Sequence, residues 1–149
     1  MIVKQVTSPK QVDIIIPVYN RPEHTKQTLE SLFKNTDSSL YNLYVVDDFS
    51  TDPEIHKLLY GAAKRFPVFL NEKNIGPGAS RNWLCNWITE KKLRSTYLYH
   101  SDNDVFFKER WLEKLISTIQ LYGNRYKVIG GGCHPYLQSS HKLQLNNLN

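Results

Sequence analysis

The sequence predicts an α/β fold, a mostly parallel open sheet flanked by helices. Three observations predict it. Short apolar runs rich in β-branched residues alternate with segments of helical periodicity, as in successive strand–helix units. Proline opens two of the helical segments, at the position where its missing N–H does no harm. The polar clusters fall just after the apolar runs, where an open parallel sheet places its ligand crevice. At 149 residues, 40% hydrophobic and 22% charged, the chain suits one globular domain that can bury a core without disulfides.

The first strand is the run from Val12 to Val18, with Ile14, Ile15 and Ile16 in the style of a strand covered on both faces. Tyr19, Asn20 and Arg21 turn the chain into a helix opened by Pro22, with Leu29, Leu32 and Phe33 on one face. Residues 43–46 form the second strand, 47–52 a polar loop, and Pro53 opens a helix carrying Ile55, Leu58, Leu59 and Ala62. The third strand, 68–70, leads through 71–78 into a helix over 79–92 whose Trp83, Leu84, Trp87 and Ile88 are expected to face the core. Residues 97–99 make the fourth strand. Trp111, Leu112, Leu115, Ile116 and Ile119 mark another amphipathic helix, and 126–130 a fifth strand. The Ser-, Asn- and Gln-rich stretch 138–149 is expected to be a disordered tail, which leaves 1–137 as the domain.

Asp102 and Asp104, separated by Asn103, leave the aromatic run of the fourth strand. Carboxylates are hard oxygen ligands, and Mn2+ or Mg2+ takes one or two of them while completing its shell with water and phosphate oxygens. The same residue types also cap helices and make turns. Two such carboxylates repel when no cation lies between them, so Asp104→Asn is expected to leave the ligand-free stability unchanged or raise it. Asp48, ending the second strand, can accept a hydrogen bond from the N3 imide proton of uracil or thymine, which cytosine lacks. Asp47 and Asp48 can equally start an Asx turn, and Asp52 is read as the cap of the helix at Pro53. Gly76 and Gly78 suit a ligand loop or a plain turn. Arg81 falls in the first turn of the third helix, away from its apolar face, where a guanidinium suits a phosphate or an aspartate pair.

Composition excludes other classes. The net charge of +5 comes from scattered basic residues, so no dedicated nucleic-acid surface is expected. No stretch approaches the roughly 20 apolar residues of a membrane span, and the N-terminus lacks a leader pattern; a cytoplasmic protein is expected. Cys85 and Cys133 do not suggest a disulfide framework, and Cys133–His134 has no second pair to complete a zinc site. A dinucleotide-binding glycine fingerprint would follow the first strand, where Tyr19-Asn20-Arg21-Pro22 stands instead, and a P-loop is absent.

Four of these segments, in order, resemble the family 2 glycosyltransferases of GT-A type fold. The stretch from Val12 to Arg21 is similar to the family's opening strand and Pro-x-Tyr-Asn turn. The segment Val46-Asp47-Asp48-Phe49-Ser50-Thr51-Asp52 resembles its second signature, with Phe49 in place of a small residue. Asn74-Ile75-Gly76-Pro77-Gly78-Ala79-Ser80-Arg81-Asn82 is similar to its Asn-x-Gly and Ala-Arg-Asn elements, with Ser80 where alanine is usual, and Asp102-Asn103-Asp104 matches its Asp-x-Asp. The resemblance implies that Pro17, Tyr19 and Arg21 line a nucleoside pocket and that Asp48 reads the base. It also implies that Gly76, Arg81 and Asn82 support the diphosphate and the aspartates, and that Asp102 and Asp104 hold Mn2+ or Mg2+. The implied donor is a UDP- or dTDP-sugar; the acceptor, a glycan, lipid or protein, is unspecified.

Most relatives invert the anomeric centre, which requires an Asp or Glu to take the acceptor's proton. After Glu113 this sequence has neither residue, and it lacks the Gln-x-x-Arg-Trp element of many processive relatives. The reading is therefore a donor-binding half whose acceptor half and general base are missing, or a noncatalytic module that keeps the nucleotide-sugar pocket. A nucleotidyltransferase would want a Gly-rich basic loop after the first strand, which is not there.

Overall fold

The computed structural model describes residues 10–123 together with Arg125 and Val128. The chain divides into two compact units, Met1–Trp111 and Leu112–Asn149. The first unit carries β1 (Val12–Val18), α1 (Pro22–Asn35), β2 (Tyr41–Asp47), α2 (Pro53–Ala62), β3 (Val68–Leu70), α3 (Pro77–Glu90) and β4 (Tyr97–His100). Beyond Trp111, the helix α4 (Trp111–Tyr122) continues into the second unit with Leu112 and Ile116 one turn apart.

The four strands lie in the order β3-β2-β1-β4, and every pair is parallel. Val12 stands opposite Tyr41 on one side of β1 and Tyr97 on the other, and Val18 ends opposite Asp47. The chain thus winds outward from β1 through β2 to β3, then returns across β1 to lay down β4. The loops leaving β1 and β4 diverge, and a crevice opens between them at the C-terminal edge, the switch point where open α/β sheets bind ligands.

Side-chain alternation builds a core on each face of the sheet. Ile15, Tyr44, Val46 and Phe69 pack with Leu84 and Ile88 of α3. Ile14, Ile16, Leu43 and Val45 alternate with them toward the opposite face, and Leu29 and Leu32 of α1 and Ile55 and Leu59 of α2 are likewise buried. Each fully buried Ile or Leu contributes about 1.5–3 kcal/mol relative to exposure. At the N-terminal edge of the sheet, buried Asp13 accepts the backbone N–H and hydroxyl of Ser95, both at 2.7 Å, and the Asn42 amide at 3.1 Å, which ties the entrance of β4 to β1.

The strand–helix alternation follows the sequence expectation, with β2 and α3 starting two residues earlier than expected. Asp52 does cap α2, accepting the Glu54 N–H at 2.9 Å. Trp83 corrects the expected core face of α3: it is 42% exposed, and it meets Phe69 edge-on from outside while Trp87 covers the same ring at 4.8 Å. The buried stripe of α3 is Ser80, Leu84 and Ile88, narrower than the apolar pattern suggests. The expected fifth strand (apart from Val128), Cys133–His134 and the 138–149 tail lie outside the described residues. No helix among the described residues is long and apolar enough to cross a membrane.

Candidate functional site

Four loops meet at the C-terminal edge of the sheet, around the switch point. The first leaves β1 as Tyr19-Asn20-Arg21, where Asn20 and Arg21 both take left-handed backbone conformations, φ 54° and 57°. Two consecutive left-handed residues turn the chain sharply before Pro22 starts α1, and Asn tolerates that conformation better than most residues. Asn20 also clamps the second loop: its side-chain oxygen accepts the N–H groups of Thr51 and Asp52, and its own N–H donates to the Ser50 hydroxyl at 2.8 Å.

That second loop begins with two buried aspartates of different roles. Asp47 accepts the Ser50 N–H at 3.0 Å, the turn expected at this position. Asp48 faces the third loop. One of its oxygens accepts the Asn71 amide, the Ile75 N–H and the Ser80 hydroxyl, and the other accepts the Gly76 N–H, all between 2.8 and 3.0 Å. Burial pushes the Asp48 carboxyl upward, but these four donors outweigh it and hold the group below the usual carboxylate range. Gly76 has φ 85°, a conformation open to glycine at little cost, and stands as the residue before α3.

The segment after β4 carries Asp102, Asn103 and Asp104, and each aspartate has its own guanidinium. Arg81, the fifth residue of α3, reaches Asp102 and also donates to the Ser101 carbonyl at 3.1 Å. Arg21 donates to Asp104 at 3.0 Å. The like-charge repulsion expected between the two carboxylates is therefore offset within the chain itself. Nearby, burial and the Arg81 charge push the His100 imidazole below its ordinary range.

Sequence reasoning missed what holds this segment. Thr25, Thr28 and Ser31 form a buried polar stripe on α1 at three-residue spacing. Thr25 accepts the Asn103 amide at 2.9 Å, Thr28 the Val105 N–H at 3.1 Å and Ser31 the Phe107 N–H at 3.1 Å, while the Asn35 amide donates to the Phe107 carbonyl at 2.7 Å. Trp111 then donates to Thr36 at 2.7 Å. The available signal was the hydroxyls recurring on one side of a helix, a pattern that exposed and buried polar faces share.

Pro17, Tyr19, Arg21, Asp48, Asp102 and Asp104 come together, with Val18, Pro77 and Asn103, around one cleft of about 340 Å³. Gly76 and Arg81 act on it through Asp48 and Asp102. Asn82 is exposed and lies outside the residues lining the cleft.

The doubly wound parallel sheet with an aspartate pair at its switch point is an α/β domain of the nucleotide-diphospho-sugar transferase type. Structures of S. aureus TarS share the fold: the 1-349 form in complex with UDP has a TM-score of 0.62 at 24% identity, covering 76% of this chain and 33% of that one. The chain belongs to glycosyl transferase family 2, which it matches over residues 13–145. An uncharacterized glycosyltransferase of Rickettsia bellii (strain RML369-C) is 32% identical over 111 residues, 74% of this chain and 15% of that protein. Glycosyltransferase AglE of Haloferax volcanii is 29% identical over 123 residues, 80% of this chain and 38% of that protein. This chain thus spans only a minor part of the length of these relatives.

Proposed function

We propose that this chain is the donor-binding half of a glycosyltransferase that takes a UDP- or dTDP-sugar with Mn2+ or Mg2+ and transfers the sugar with inversion. The observation that carries the reading is the convergence of Asp48, Asp102, Asp104 and Arg21 on one cleft at the switch point. The two TarS complexes, one with UDP and one with UDP-GlcNAc, support a nucleotide-sugar donor.

The donor set fits a hard divalent cation. Asp102 and Asp104 offer carboxylate oxygens on side chains 66% and 43% exposed. No group of three or more His, Cys, Asp or Glu side chains among the described residues is placed to hold a metal, so phosphate and water oxygens would complete the shell. When bound, the cation would neutralise charge developing on the leaving diphosphate. Arg81 keeps Asp102 oriented. Asp48 can present a carboxylate edge to the uracil N3 proton from the cleft wall. In this reading the acceptor-binding half, with the acidic residue that takes the acceptor's proton, is not among the residues of this chain.

Calorimetry of UDP with and without Mn2+ tests the donor site, and equal affinity in both would remove the metal assignment. UDP should bind at least about tenfold more tightly than CDP, because cytosine would set an acceptor against Asp48. Release of UDP from UDP-glucose that depends on an added acceptor supports the transferase; binding without turnover supports a noncatalytic module.

A further inference from the structure

The two arginines hold the two aspartates differently. Arg81 is 22% exposed, and the same guanidinium nitrogen serves Asp102 and the Ser101 carbonyl. The Arg21–Asp104 pair is a single 3.0 Å contact between side chains 61% and 43% exposed. Exposed pairs of this kind are weak and screened by salt. Two guanidinium charges offset the carboxylates of Asp102 and Asp104, while Asp48 leaves the cleft lining with one further negative charge. A cation arriving alone must compete with Arg21 for Asp104. A diphosphate changes that competition, because it offers guanidinium a doubly anionic, bidentate partner.

We infer that Arg21 is a displaceable counter-ion, which covers Asp104 until a diphosphate arrives and then turns to it, so that cation and nucleotide enter as a coupled pair. Its backbone suits the task. The Arg21 carbonyl accepts the Thr25 N–H at 3.0 Å and Pro22 follows directly, which anchors the main chain while the exposed side chain swings. Asp104 stays in place after release, because the neighbouring residues on either side are bonded to Thr25 and Thr28. The cation half of the inference stands on this geometry, whereas the handover to diphosphate rests on the donor-site reading above.

The test is a Mn2+ titration followed by electron paramagnetic resonance, with UDP binding measured in parallel, on the unmodified chain, Arg21→Asn and Arg21→Lys. Asparagine accepts the left-handed backbone at this position, and circular dichroism checks that each variant is folded. Arg21→Asn should bind free Mn2+ about fivefold more tightly, the equivalent of ~1 kcal/mol, and bind UDP in Mn2+ about fivefold more weakly. Arg21→Lys, which keeps the charge, should fall between. Equal or weaker Mn2+ binding by Arg21→Asn, or no Mn2+ binding by either protein, overturns the counter-ion role. A gain in Mn2+ affinity without loss of UDP affinity overturns the handover. If the unmodified chain binds no UDP yet Arg21→Asn gains Mn2+ affinity, the donor reading falls and the counter-ion role stands.

Discussion

Asp48 carries the loop between β3 and α3 on one carboxylate. Asn71, Ile75, Gly76 and Ser80 all donate to it, so replacing it disturbs more than a contact to a nucleobase. Asp48→Ala should lower unfolding stability by about 3 kcal/mol in urea titrations, since several buried donors lose their acceptor. A loss under about 0.5 kcal/mol, the range of an ordinary surface change, would mean that the loop stands without it. The carboxyl is held below its ordinary value, so its contribution is present above the unfolded pKa of about 3.9 and disappears as pH falls through the lower folded value. Thermal melts of the unmodified chain should therefore drop more steeply below about pH 4 than those of Asp48→Asn. Parallel profiles for the two proteins would contradict this.

At the scale of elements, α1 is both a core helix and a rack for the aspartate segment. Its apolar Leu29 and Leu32 are buried, and its hydroxyl stripe supplies acceptors for backbone N–H groups that would otherwise lack partners. Thr28→Val keeps the shape of the side chain and removes one acceptor, which should lower stability by about 1–2 kcal/mol. Hydrogen exchange should speed up selectively at Val105 and Phe107, while amides pairing β1 with β2 keep their protection relative to global unfolding. Uniform acceleration across the sheet would show that the stripe supports the whole core instead.

For the molecule as a whole, strand order brings together loops that are remote in the chain. Arg21 and Asp104 are 83 positions apart and meet because β1 and β4 are neighbours. Asp104→Asn removes half of an exposed pair, so the melting temperature of the ligand-free chain should move by no more than about 2 °C. The same substitution should abolish most of the additional thermal stabilisation that Mn2+ confers in the presence of UDP, because a ligand raises stability in proportion to its preference for the folded state. A large loss of ligand-free stability would assign Asp104 to structure rather than to binding.

Much of this was legible in the amino-acid order because it is local. The isoleucine run of β1, the prolines opening α1 and α2 and the Asp52 cap act through neighbouring residues, and their periodicity survives whatever surrounds them. The same regularity located the polar clusters at strand ends, where Pro17, Tyr19, Arg21, Asp48, Asp102 and Asp104 now line one cleft. Tertiary structure decided the partners the sequence left open: Asp48 with the glycine loop, Arg21 with Asp104, and the α1 hydroxyls with residues 103–107, while for Arg81 it chose Asp102 from the aspartate pair its position had suggested. It also left Trp83 on the outside, since the width of a buried helix face depends on the sheet beneath it. Helical and strand patterns report which face of an element is apolar; which charged or polar groups become partners depends on strand order and register, which bring distant positions within hydrogen-bond reach.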